Sequence, residues 1–292
     1  MKPLRIAQIS DFHLTEVTYN PFRLCSKRLI GILNWLFSRK SSYSKEQVYA
    51  LSPLLKSLKV DHILLGGDFT TTALPSEYKL AVDFVETLPA PWIAIPGNHD
   101  HYTLRAYYQK HFYKYLTNHR EINHKTGFFN LAEQGVEAHR LEASNWWVVA
   151  LDTAQATLTH SARGLFKETT EKNLKELLSL IPSDHSILLF NHYPFFQNDL
   201  HRRTLERGKD LEKIVTEDTR IKAYLHGHTH RHIIANLQPS GLPVVLDSGC
   251  CTDSKKGSWN LLTIDDHGIQ IDAYFWKNGW TISRTENFAW TR

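Results

Sequence analysis

The chain has 292 residues, of which 42% are hydrophobic and 22% charged, with only 14 Gly and 11 Pro. That excludes a disordered, collagen-like or low-complexity protein and leaves one large α/β domain over residues 1–292 as the expectation, since single cores stop growing near about 250–300 residues. The formal charge of +4 is local: Arg23, Lys27, Arg28, Arg39, Lys40 and Lys45 lie between residues 17 and 45 without one acidic neighbour, which suggests a docking element and excludes a broad nucleic-acid-binding face.

In chain order, aliphatic and β-branched runs predict buried strands at residues 4–9, 62–65, 92–95, 146–151, 186–190 and 223–225. Helical spacing is expected between them, at 44–59, 75–88, 104–116, 168–180 and 204–216, the alternation of a layered α/β fold. Beyond Gly227 the turn signals Gly241-Leu242-Pro243, Asp265-Asp266-His267-Gly268 and Lys277-Asn278-Gly279 predict an antiparallel region. Cys25, Cys250 and Cys251 cannot build a disulfide framework, and the basic start runs straight into a strand, so a reduced, cytoplasmic protein without a signal peptide is expected. The most apolar run, 29–37, is broken by Gly31 and Asn34 and falls short of the roughly 20 residues a membrane span needs.

Polar residues fall at the ends of those strands. The first is followed by Asp11 and His13, the second by Gly67-Asp68, the third by Gly97-Asn98-His99-Asp100, the fifth by His192, and the sixth by Gly227-His228-Thr229-His230. In open α/β sheets ligands bind outside the carboxyl ends of strands, so these groups are expected in one crevice. Side chains two apart in an extended segment share a side, which lets Asp11 with His13, and His228 with His230, grip one ion. Oxygen and imidazole donors without thiolate suit manganese, zinc or iron at a catalytic site. Taken singly, His13 or His192 is more often a satisfied core histidine, and Asp11 or Asp68 a helix cap. Five coincident blocks are not explained that way.

Together the blocks resemble the calcineurin-like metallophosphoesterases. The resemblance implies a four-layer αββα sandwich holding two divalent ions about 3.5–4 Å apart, manganese first and zinc or iron as alternatives. It places Asp11, His13 and His230 on one ion, Asn98, His192 and His228 on the other, and Asp68 between them. A metal-bridging hydroxide would attack phosphorus, Asn98 would also touch the phosphate, and His99, held by Asp100, would face the departing oxygen as general acid. The implied substrate is a phosphodiester or a pyrophosphate.

The stretch from Leu14 to Gly67 is longer than one connecting helix requires. Within residues 19–45, Leu29, Leu33, Trp35 and Leu36 form an apolar face edged by Arg28, a basic amphipathic insertion that would dock substrate, lipid or only the core. This segment is similar to that of a subgroup that includes the chlamydial-type UDP-2,3-diacylglucosamine pyrophosphatase of lipid A synthesis, implying an acylated nucleotide sugar as substrate and contact with the inner membrane surface. A cyclic-nucleotide phosphodiesterase is the alternative reading, and a non-catalytic membrane-associated scaffold the alternative of another class.

Overall fold

The computed structural model describes residues 2–16, 28, 43–116, 129–141, 144–157, 161–197 and 199–291. Its strands, in chain order, are β1 (Leu4–Ile9), β2 (His62–Leu65), β3 (Trp92–Ala94), β4 (Val136–Arg140), β5 (Trp146–Leu151), β6 (Gly164–Leu165), β7 (Ser186–Phe190), β8 (Leu205–Glu206), β9 (Ile221–His226), β10 (His232–Asn236), β11 (Val244–Ser248), β12 (Ser258–Ile264), β13 (Gly268–Trp276) and β14 (Trp280–Ala289). Twelve of them form two six-stranded sheets, ordered β14-β13-β12-β1-β2-β3 and β10-β11-β9-β7-β5-β4.

The alternation of side chains along each strand builds the layers. Ile6, Leu64, Ile93 and Leu262 of the first sheet meet Val148, Leu188, Leu225 and Leu246 of the second in one core between the sheets. Ala7, Ile9, Ile63 and Leu65 point the other way, under helices α1 (Lys45–Tyr49), α2 (Leu51–Ser57) and α3 (Pro75–Val85). The outer face of the second sheet carries Val149, Leu189 and Tyr224, covered by Leu174 and Leu177 of a helix at Glu168–Leu180 and by Leu211 and Val215 of one at Gly208–Glu217. This is the four-layer αββα sandwich. One polar rivet crosses its middle: Gln8 of β1 donates through Nε2 to His226 O and Leu246 O of the other sheet, and Asn260 Nδ2 donates to Gln8 Oε1.

Strands β1, β2 and β3 are mutually parallel, as are β5, β7, β9 and β11. The expected antiparallel region past Gly227 is therefore only partly antiparallel, because β11 returns beside β9 in the same direction. Three expected helices are also cut. The 44–59 helix breaks at Ala50, where Pro53 withdraws an N–H from the ladder. The 104–116 helix divides into Leu104–Tyr108 and His111–Tyr115 because Lys110 turns left-handed. The 204–216 helix starts only at Gly208, since Leu205 and Glu206 pair with Gly164 and Leu165 instead. Among the described residues no helix is long and apolar enough to cross a membrane.

Candidate metal centre

The carboxyl ends of β1, β2, β7 and β9 meet at one edge of the sandwich. Asp11 N donates to Gly67 O at 3.0 Å, His13 N to Asp68 O at 2.8 Å and Gly227 N to His192 O at 3.1 Å, so backbone bonds lace the strand-end loops together before any side chain is considered. Glycine makes two further close approaches feasible. A Cβ on Gly97 would sit 2.2 Å from Asp68 Oδ1, and one on Gly227 would sit 2.1 Å from Ser10 Oγ and 2.6 Å from Asp11 Oδ2.

The side chains converge accordingly. Donor atoms of Asp11, His13, Asp68 and His230 all lie within 4.8 Å of one another. His13 Nε2 stands 3.0 Å from His230 Nε2 and 3.8 Å from Asp11 Oδ1, which is itself 3.2 Å from His230 Nε2. Asp68 Oδ1 accepts from His99 N at 2.7 Å, while its Oδ2 faces two rings, His13 Nε2 at 4.0 Å and His192 Nε2 at 3.6 Å. A carboxylate placed between two imidazole groups is what a bridging ligand requires.

The second set of rings is fixed through the main chain. His192 Nδ1 donates to Gly66 O at 2.7 Å, which leaves the buried Nε2 lone pair with no hydrogen-bond partner among the described residues. His228 Nε2 donates to Arg203 O at 2.9 Å, leaving Nδ1 as its basic nitrogen. Burial holds both imidazoles below the usual histidine range, the neutral form a metal needs. Burial opposes the charge of Asp11, yet the hydrogen bond and charge of His230, with His192 and His13, keep its carboxyl well below the usual carboxylate range. Asn98 Oδ1 is buried and likewise has no hydrogen-bond partner among the described residues.

Backbone strain is concentrated here. Asp11, His13, Asp68, His228 and His230 all have φ between +44° and +70°, a region that costs an L residue roughly 1–2 kcal/mol. Such outliers persist where the surroundings over-determine them, typically at functional sites. Buried lone pairs, neutral rings and a shared carboxylate fit a pair of divalent cations.

Asp100 does not do what the sequence suggested. Its carboxylate accepts from Gly97 N, Phe69 N, Thr70 N and Thr70 Oγ1, so it knots the two loops together, while the His99 ring is held through Nδ1 by Thr71 O at 2.6 Å. A buried carboxylate ringed by four donors has no geometry left to orient the neighbouring imidazole. His101 is 1% exposed, with Nε2 3.5 Å from Asp152 Oδ2. His226 is structural: it is buried beside Gly227 O and 3.5 Å from Asp247 Oδ2.

Four contributors escaped sequence reasoning. Tyr43 stacks on the His13 ring at 4.8 Å, Thr71 holds His99, Arg203 O holds His228, and Cys250 Sγ joins a cluster with His13 and His230 while donating to Asp11 O at 3.1 Å. Cys250 follows β11, so the strand-end rule would have found it had β11 been read as parallel. Of the expected docking residues, Leu29, Leu33, Trp35 and Leu36 lie outside the described residues. Arg28 is buried, with its guanidinium on Thr72 O and Ala73 O.

Fold and site together point to a metal-dependent hydrolase. Residues 4–232 match the family model of the calcineurin-like phosphoesterases, and the chain belongs to that family, whose members hydrolyse phosphoesters. It is 22% identical to the 3′,5′-cyclic adenosine monophosphate phosphodiesterase CpdA of Haemophilus influenzae, over 86% of this chain and 78% of the relative. A probable cyclic nucleotide phosphodiesterase of Synechococcus is 25% identical over 94% of this chain and 92% of its own. The fold is shared with a dimetal phosphatase from Danio rerio, with a TM-score of 0.69, 11% identity and 99% of each chain covered.

Proposed function

We propose that the protein is a phosphodiesterase in which Asp11, His13 and His230 hold one divalent cation, Asn98, His192 and His228 hold a second, and Asp68 bridges them. The observation that carries this reading is Asp68 Oδ2 facing His13 and His192 from between two donor sets. When bound, such a pair supplies Lewis acidity that activates water and neutralises charge on phosphoryl oxygens. The chain's own residues supply the rest. Asn98 presents its amide to the phosphate. His99, with Nδ1–H committed to Thr71 O, keeps Nε2 for the proton delivered to the departing oxygen. Asp100 is a positioning group that locks the loop carrying both. Manganese is the first expectation for the metal, with zinc or iron next. Cys250 Sγ lies beside this donor set and gives its S–H to Asp11 O.

A 3′,5′-cyclic nucleotide is the substrate best supported, by the names of the relatives. The UDP-2,3-diacylglucosamine reading and membrane contact both depend on the apolar face of residues 29–36, outside the described residues. Chelated protein, reconstituted with Mn²⁺, is assayed on 3′,5′-cyclic AMP, on UDP-2,3-diacylglucosamine in detergent and on bis-p-nitrophenyl phosphate. Activity should vanish on chelation, return with metal and favour the cyclic nucleotide. Full turnover after exhaustive chelation overturns the metal reading; preference for the lipid nucleotide overturns the substrate.

A further inference from the structure

Arg28 belongs to the basic insertion, yet its charged end is not in solvent. The side chain is buried, donating through Nε to Thr72 O and through Nη2 to Ala73 O, both at 2.9 Å. These carbonyls belong to a turn that is gripped from the other side by one carboxylate: Glu77 accepts from Thr72 N at 2.9 Å and from Leu74 N at 3.0 Å. One base and one acid thus satisfy successive backbone groups of a turn that Ala73 enters with a left-handed φ of +56°.

The turn ends in the active-site edge. Thr71 lies immediately before the clamped carbonyls, and its own carbonyl takes the His99 Nδ1–H bond at 2.6 Å. Its hydroxyl donates to His13 O at 3.1 Å, and the preceding Thr70 Oγ1 donates to His99 O at 3.0 Å. The far end of the same insertion also reaches the site, where Tyr43 stacks on His13.

We infer that Arg28 is a positioning residue for the hydrolytic reaction: by fixing Thr72 O and Ala73 O it holds Thr71 O where it sets the tautomer and direction of the His99 ring. The inference rests on His99 being the donor to the leaving oxygen. Charge-assisted, forked hydrogen bonds to two carbonyls are a task for guanidinium, which lysine's single ammonium reproduces poorly.

The test uses the full, metal-loaded chain with Arg28→Gln and Arg28→Lys, each also combined with His99→Ala. Turnover is read on bis-p-nitrophenyl phosphate, whose leaving group needs little protonation, and on 3′,5′-cyclic AMP, whose leaving alkoxide needs it. Metal content per chain and the ¹⁵N signature of the His99 tautomer are read alongside. Arg28→Gln should lower kcat on the cyclic nucleotide by about 10-fold to 100-fold, with a smaller loss on the aryl ester, an altered His99 signature and two metals retained. It should add nothing in the His99→Ala background. An equal loss on both substrates that persists without His99, or an unaltered His99 signature, overturns the inference. If Arg28→Gln does not fold, Arg28→Lys is read by the same criteria. A His99→Ala variant that slows both substrates equally overturns the assignment of His99 instead.

Discussion

The two halves of the proposed metal centre are built by different means. In the half formed by His192 and His228, each ring is anchored by its far nitrogen to a main-chain carbonyl, Gly66 O or Arg203 O. In the half formed by Asp11, His13 and His230, side-chain packing does more of the work: Tyr43 stacks on His13, Ser10 Oγ donates to Asp11 Oδ2 at 2.6 Å, and all three residues have left-handed backbones. An anchored ring presents one fixed nitrogen whatever its neighbours do. A packed ring is only as well aimed as the side chain lying on it.

Removing the group common to both halves should have the largest effect. Asp68→Ala is expected to lower phosphodiester turnover by on the order of 10³-fold, about 4 kcal/mol of transition-state stabilisation. Metal analysis should show fewer than two ions per chain, and an unchanged ion count would argue that the halves are held independently. His99→Gln touches neither half's donors and should cost roughly 10²-fold in kcat with both ions kept, because it deletes proton delivery alone.

The contrast between halves is sharpened by Tyr43→Ala. Loss of the stacking ring should weaken one ion by about 10-fold and leave the other unchanged, as outer-shell changes do; two-site competition with a chelator reads both affinities. Equal weakening of both would erase the distinction between anchored and packed rings.

The remaining effect, on stability rather than activity, concerns the acid beneath the Thr71 turn. Burial pushes the Glu77 carboxyl up to about 7 against the hydrogen bonds it accepts from Leu74 N, Thr72 N, Glu16 N and Thr72 Oγ1. A carboxyl raised on folding contributes stability below its unfolded value, and that contribution is lost as pH rises through the folded one. Relative to Glu77→Gln, which cannot ionise, the wild type should lose at most about 3 kcal/mol between pH 4.5 and pH 7 and change little above. Urea melts of both proteins across that range measure the difference; a flat difference would show that Glu77 ionises freely.

The order of strands and the residues at their ends were legible because both follow from apolar runs and the loops that close them. Asp11, His13, Asp68 and His230 could be placed in one crevice from their positions at strand ends, although their left-handed backbones are not the extended segments that the two-apart spacing assumed. What escaped was backbone chemistry: no pattern of side chains announces that Thr71 O or Arg203 O will steer a ring. Asp100 was misjudged for the same reason, since its four donors come from loops that meet only in the folded chain. Arg28 read as a docking residue at the edge of an amphipathic helix because helical spacing cannot distinguish a basic residue facing a partner from one facing two carbonyls. Direction in the C-terminal region was missed because turn signals mark where a chain reverses, and β11 acquires its parallel neighbour from sequence far away.

Asp68 and the loops of the first sheet reach His192 and His228 only because the two sheets stack in one alignment over a mostly apolar interface. Gln8, bonded to His226 O and Leu246 O across that interface, is one of the polar ties that mark this alignment. Retention of the two proposed metal ions would therefore gauge how firmly the sandwich is closed. Damage to that single amide should surface as leakage of metal well before either sheet comes undone.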